Sequence, residues 1–102
     1  MIKTLFLVPE RDNEDRPYDR GLWRELERRL LDHTVGLTSR ADVRGIWRSG
    51  DREYRDVSRE FSVALESWRQ LPALLDLLDW LRVQFRQEAI YLEVAGIPEI
   101  LT

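Results

Sequence analysis

The chain has 102 residues, of which 43% are hydrophobic and 34% charged, and its formal net charge is −3. This length is enough for one domain with one hydrophobic core, and the acidic balance disfavours nucleic-acid binding, which relies on a basic surface. The absence of cysteine excludes disulfides, thiolate metal sites and cysteine nucleophiles.

The first predicted element is a strand over Lys3–Val8. Its side chains are apolar on both faces, which predicts a central strand that is covered on both sides. The apolar run Leu5–Val8 is too short for a signal sequence, and no apolar stretch of the chain is long enough to span a membrane. We therefore expect a cytoplasmic protein with no membrane partner.

A polar connection over Pro9–Arg20 leads into a predicted helix over Gly21–Thr34. Asp19 is a suitable N-cap, since its carboxylate can accept a hydrogen bond from the first turn. The predicted apolar stripe of this helix consists of Leu22, Trp23, Leu26 and Leu30. The only histidine, His33, falls in the last turn, where the helix dipole favours a cation.

Two further strands are predicted over Val43–Ser49 and Tyr54–Leu65, around the turn signal Gly50-Asp51. If Gly50-Asp51 forms a two-residue loop, Trp47 lies opposite Tyr54 and Arg48 lies opposite Glu53. Both are favourable cross-strand pairs.

The second predicted helix begins at Pro72 and ends near Arg86, and a last strand follows over Ala89–Ala95. Gly96 ends that strand, and the tail Ile97–Thr102 carries three large aliphatic side chains. Because burial of each would contribute about 1.5–3 kcal/mol, we expect the tail to be ordered and to pack on its own sheet or on a neighbouring subunit.

The order of elements is βαββαβ, which predicts one α+β domain over residues 1–102 with a ferredoxin-like sandwich fold. Such a fold has a four-stranded antiparallel sheet, in the order 4-1-3-2, with two helices on one face. The other face would be bare in a monomer, and the doubly apolar first strand indicates that it is covered. We therefore expect a homodimer or a larger closed homo-oligomer.

The predicted topology brings the first connection, the hairpin and the start of the last strand to one end of the sheet, where binding sites are common. The candidate ligand-binding residues there are Trp47, Arg48, Glu53, Tyr54, Gln87 and Glu88.

Two functions are consistent with these candidates. The first is a non-catalytic oligomeric protein that binds a small ligand or a partner protein. The second is a small enzyme in which Glu88 or Glu53 is the general base, Arg48 holds an anion and Trp47 forms an apolar wall. The sequence favours the first, because it has one histidine, no cysteine and no recognisable nucleophile–base spacing.

The sequence predicts no metal, no cofactor and no nucleic-acid partner. The acidic segment Asp12–Asp15 lacks the glycine and the distal glutamate of an EF-hand loop, so we interpret it as a charged turn. Phe6 and Phe61 occupy strand positions that stack bases in RNA-recognition domains, but the flanking glycines and aromatics are missing, and core packing explains both.

Four short segments resemble an uncharacterised family of short bacterial proteins. They are Val35-Gly36-Leu37-Thr38, Gly45-Ile46-Trp47-Arg48, the acidic hairpin at Gly50-Asp51, and Gln87-Glu88-Ala89-Ile90. The opening Leu7-Val8-Pro9 with Asp12-Asn13 is also similar. The chain differs from that family at Val35, where glycine is usual, and at Gly50-Asp51, where the order is inverted. The resemblance implies a ferredoxin-like α+β fold and a role for Trp47, Gln87 and Glu88, and it implies no reaction.

Overall fold

Five strands and two α-helices make up the fold in the computed structural model, which describes residues 1–102. In chain order they are β1 (Ile2–Pro9), α1 (Arg20–His33), β2 (Gly36–Ser49), β3 (Arg52–Leu65), α2 (Leu71–Gln84), β4 (Ile90–Val94) and β5 (Ile97–Leu101). A short 3₁₀ turn, Trp68–Gln70, precedes α2. Neither helix is long and apolar enough to cross a bilayer.

The sheet is antiparallel, and its strand order is β2-β3-β1-β4-β5. The predicted position of β1 in the middle of the sheet is confirmed, since β1 pairs with both β3 and β4. The prediction of four strands was wrong, because the tail adds β5 beside β4.

The core lies between the two helices and one face of the sheet. Alternate residues of β1, such as Phe6 and Val8, point into it and are fully buried. Leu5 and Leu7 point to the opposite face and are only half-buried. The fifteen core residues are Phe6, Val8, Trp23, Leu26, Leu30, Phe61, Val63, Leu65, Leu74, Leu77, Leu78, Leu81, Phe85, Ile90 and Leu92.

Helix α1 begins and ends close to the predicted limits. The Asp19 carboxylate accepts a hydrogen bond from the Gly21 N–H at 3.0 Å, which satisfies one of the unpaired donors of the first turn. The buried side chains Trp23, Leu26 and Leu30 recur at helical spacing and fasten this helix to the sheet. His33 lies in the last turn, where the sequence places it.

Strands β2 and β3 are 14 residues long, whereas β1 has only 8 residues. The last pair between β1 and β3 is Pro9 with Ser58, so residues 43–57 extend beyond β1 as a two-stranded hairpin arm. The predicted register of the arm is confirmed: Trp47 lies opposite Tyr54, and Arg48 lies opposite Glu53.

The predicted start of β2 at Val43 was wrong, since the strand begins at Gly36. An irregularity in the pairing separates Arg40 from Val43, and Asp42 there has a φ of 59°. Such bulges bend a strand and increase its twist, which changes the direction of the arm relative to the sheet.

The tail is ordered as β5, and its five residues pair with β4. Ala95 and Gly96 connect the two strands, and both have positive φ values, 51° and 82°. Two positive values in succession are typical of the tight turn that joins antiparallel strands. Leu101 packs against the core, whereas Ile97 and Ile100 stay more than half exposed.

Candidate functional site

A cleft of about 760 Å³ separates the connection after β1 from the hairpin arm. Its volume is in the range that small-molecule sites occupy. The sheet end therefore carries a concave surface formed by the two segments that the sequence predicts to converge. The residues that line it are Pro9, Glu10, Arg11, Asp12, Asp15, Asp42, Arg44, Gly45, Ile46, Arg55, Asp56 and Val57.

The lining of the cleft is mostly charged, with five carboxylates against three guanidinium groups. Ile46 and Val57 contribute the aliphatic part and are 58% and 39% exposed, which leaves them accessible to a ligand. An excess of negative charge in a concave site attracts cations and repels anions.

The wall after β1 is shaped by Asp12. One carboxylate oxygen accepts the backbone N–H groups of Glu14 and Arg16, each at 2.9 Å, and the Arg16 guanidinium pairs with the other oxygen. These hydrogen bonds, with that from Arg16 the largest cause, lower the pKa of Asp12 below its ordinary value of 3.8. The acidic segment is thus a turn held by its own backbone, as predicted. The structure contains no group of three or more acidic or histidine side chains that could hold a metal ion.

The Tyr18 side chain anchors the connection after β1, which forms this wall, to the residues that follow α2. Its hydroxyl donates to the Phe85 carbonyl oxygen at 2.7 Å and accepts from the Gln87 side-chain amide at 3.0 Å. Its ring packs edge-on against Trp23 and Phe85. Burial raises the pKa of Tyr18, so the hydroxyl keeps its proton and remains a donor.

The hairpin arm forms the second wall of the cleft, and contacts among Trp47, Asp56 and Gly45 hold it in place. The Trp47 indole N–H donates to an Asp56 carboxylate oxygen at 2.8 Å. A Cβ atom on Gly45 would lie only 2.7 Å from Asp56 Oδ1 and 2.8 Å from Trp47 Nε1, so this contact requires glycine. Burial raises the pKa of Asp56, and the hydrogen bonds from Trp47 and the Gly45 backbone offset part of that rise.

The Trp47 ring also contacts Tyr91 on β4, with ring centroids 5.6 Å apart. Tyr91 alternates with the core residues Ile90 and Leu92, so it projects from the sheet face opposite the helices. Trp47 therefore joins the arm to that face, and Asp56 holds the indole that makes the contact.

None of the six candidate residues from the sequence lines the cleft. Trp47, Arg48, Glu53 and Tyr54 lie together near the tip of the arm, and Glu53 accepts a hydrogen bond from Arg55 at 3.3 Å. Gln87 and Glu88 lie apart from that group, in the connection before β4: Gln87 supports Tyr18, and Glu88 is exposed without a hydrogen bond from its side chain.

Sequence reasoning did not single out Glu10, Asp42 and Asp56 in the cleft. Glu10 accepts the backbone N–H of Asp42 at 3.1 Å, a contact between residues 32 positions apart. The contact forms because the bulge places the Asp42 N–H beside Glu10. Neither the composition nor the residue spacing of the sequence indicates a bulge at this position. The nearest signal was Gly45, whose place inside a strand indicates a close approach by other atoms.

Comparison with known proteins gives similarity of fold only. No family model matches the chain, and no curated protein sequence matches it. Among solved structures, a phage SAM lyase in complex with S-methyl-5′-thioadenosine is similar, with a TM-score of 0.70 and 17% identity over 99% of this chain and 88% of that chain. A phage SAM lyase in the apo state gives a TM-score of 0.67 and 15% identity with the same coverage.

The divalent cation tolerance protein Cut A1 from Thermus thermophilus is also similar. Its TM-score is 0.59, and the 14% identity extends over 99% of this chain and 81% of that chain. At these identities the likeness establishes that the chain shares a small α+β architecture with both kinds of protein.

Proposed function

We propose that this chain is a cytoplasmic homo-oligomer, built on a ferredoxin-like scaffold with one added strand, that binds a small, positively charged metabolite without transforming it. The observation that carries the proposal is the cleft beside the hairpin arm, with its volume of about 760 Å³ and its excess of carboxylates. Concave sites of this size hold ligands of nucleoside dimensions.

The charge of the cleft favours a cationic ligand over a neutral or anionic one. Arg55 is already engaged by Glu53, outside the cleft, and Arg11 lies beside Asp15. Glu10 and Asp56 have no arginine partner within 4.0 Å, so their charges are available to a ligand. S-adenosylmethionine (SAM), a sulfonium, meets this requirement, and the SAM lyase fold makes it the first ligand to test.

Five of the six sequence candidates have a supporting role in this proposal, and the exposed Glu88 has none. Trp47, Arg48, Glu53 and Tyr54 stabilise the arm, and Gln87 stabilises the opposite wall through Tyr18. They support the two segments that border the cleft, and residues of its lining contact the ligand.

Self-association is supported by apolar groups that stay in contact with water. Tyr54 and Ile100 are 48% and 57% exposed, and Leu5 and Leu7 are half-buried on the sheet face that the helices leave bare. Covering such groups in a second copy would stabilise an oligomer. Light scattering tests this: we expect a mass of at least two chains, and a 12.2 kDa species alone contradicts it.

A second candidate function is a lyase that cleaves SAM. The fold likeness over 99% of the chain favours it, as does Asp56, a cleft carboxylate with a raised pKa of the kind that general bases have.

One experiment separates these functions. SAM and S-methyl-5′-thioadenosine are titrated calorimetrically into the protein, and the SAM mixture is then chromatographed for breakdown products. Binding of SAM with no breakdown supports the proposal, breakdown supports the lyase, and no heat from either compound contradicts both.

A matched pair of variants locates the site. Ile46→Trp fills the cleft, and Val83→Trp makes the same kind of change at an equally exposed position on α2. We expect affinity for SAM to fall at least tenfold in the first variant and to be unchanged in the second. Equal affinities would show that the ligand binds elsewhere.

A further inference from the structure

We propose that Asp56 determines the specificity of the cleft by recognising the positive charge of the ligand. This inference rests on the proposed function, and it goes further by assigning the selection for charge to one carboxylate. It follows from the position of Asp56, from its hydrogen bonds and from the state of the other carboxylates in the cleft.

Asp56 lines the cleft while its carboxylate is fixed by neutral donors only. The Trp47 indole N–H donates to it at 2.8 Å, and Gly45 approaches so closely that a Cβ would lie 2.7 Å from Oδ1. It takes part in none of the ion pairs of the structure. The position of the carboxylate is therefore fixed, and no arginine, lysine or histidine nitrogen lies within 4.0 Å of it to form an ion pair.

The other lining carboxylates are less suited to this task. Asp12 is committed to its own turn and to Arg16, and Asp15 has a side chain that is 92% exposed. Asp42 is exposed on the bulge, where water solvates its charge. Glu10 is half-buried but accepts the Asp42 backbone N–H, which ties together the two walls of the cleft.

Burial makes the charge of Asp56 costly in the free protein. Loss of solvation raises the pKa of this carboxyl, which shows that its two hydrogen bonds do not fully replace water. A cation entering the cleft would supply the missing compensation. A sulfonium has no N–H group to donate, so its recognition depends on the charge of the carboxylate and not on its ability to accept hydrogen bonds.

The substitution Asp56→Asn tests this distinction, because an amide oxygen can still accept the Trp47 N–H although the charge is gone. Affinities are measured for SAM and for S-adenosylhomocysteine, which lacks the S-methyl group and the sulfonium charge. Asp76→Asn is the matched control: it removes the same charge at an exposed position on α2, outside the cleft. Indole N–H resonances confirm that each variant is folded.

We expect the wild type and Asp76→Asn to prefer SAM at least tenfold, and Asp56→Asn to prefer it less than threefold. Retention of the preference in Asp56→Asn, or its loss in Glu10→Gln instead, overturns the assignment. Equal binding of both compounds by the wild type overturns this assignment and the preference for a cation, whereas the binding role of the cleft stands. Binding of neither overturns the proposed function together with it.

Discussion

Gly45 offers the sharpest test of how the arm is held. The substitution Gly45→Ala puts a methyl group 2.7 Å from Asp56 Oδ1 and 2.8 Å from Trp47 Nε1, so these two groups must separate. Gly36→Ala, in the same strand, is the matched control, since a Cβ there meets no atom within 4 Å. Neither glycine has a positive φ, so alanine strains the backbone at neither position.

The expected magnitude comes from the difference between the two variants. Both gain about 0.4–1 kcal/mol from the reduced entropy of the unfolded chain, which cancels in the comparison. Gly45→Ala also loses the hydrogen bond to the Asp56 carboxylate, worth about 1.5–3 kcal/mol when fully buried and nearer 1 kcal/mol at this half-buried position. We therefore expect Gly45→Ala to be less stable than Gly36→Ala by about 1–2 kcal/mol.

Urea unfolding followed by circular dichroism measures this difference. In a domain of this size 1 kcal/mol corresponds to about 4–8 °C in Tm, so a thermal melt resolves it as well. The Trp47 indole N–H resonance should shift in Gly45→Ala and stay in place in Gly36→Ala. Equal stabilities with an unmoved resonance would refute the conclusion that the Trp47–Asp56 contact holds the arm.

Three further predictions concern the two walls and the tail. Tyr18→Phe removes the hydrogen bonds to Phe85 and Gln87 and should lower the free energy of unfolding in urea by about 1–2 kcal/mol. An unchanged midpoint would show that these bonds do not stabilise the connection after β1. The pKa of Asp56 is raised on folding. The stability of the wild type relative to Asp56→Asn should therefore fall as pH rises above 3.8 and level off above the pKa of the folded state. An increase in relative stability over that pH range would contradict a raised pKa. Deleting residues 97–102 leaves β4 as the edge strand and removes the contacts of Leu101 with the core, so a loss of about 1.5 kcal/mol or more is expected. An unchanged Tm would mean that β5 contributes nothing to stability.

The sequence predicts the parts of the fold that depend on local pattern. The turn at Gly50-Asp51 sets the register that pairs Trp47 with Tyr54, and the 3.6-residue spacing of α1 identifies Trp23, Leu26 and Leu30 as buried. These features follow from neighbours along the chain, where turn chemistry and periodicity determine the outcome.

The sequence could not predict the features that depend on distant contacts or on unusual turn residues. β5 was missed because Ala95 occupies a position of positive φ that usually selects glycine, asparagine or aspartate. The first half of β2 was missed because Thr38, Ser39 and Arg40 show no alternation of apolar and polar residues. The cleft was missed because a contact between Glu10 and Asp42, far apart in the chain, closes it.

None of the twelve residues that line the cleft belongs to the fifteen-residue core. If the cleft binds a ligand as proposed, recognition and core packing depend on separate sets of side chains, although Gly45 and Asp56 also hold the arm. Ligand preference could change over evolutionary time at little cost in stability, as long as Gly45 and the bulge at Asp42 keep the arm in place. The same division of labour would allow proteins that share this scaffold at 14–17% identity to carry unrelated chemistry on their connections and arms.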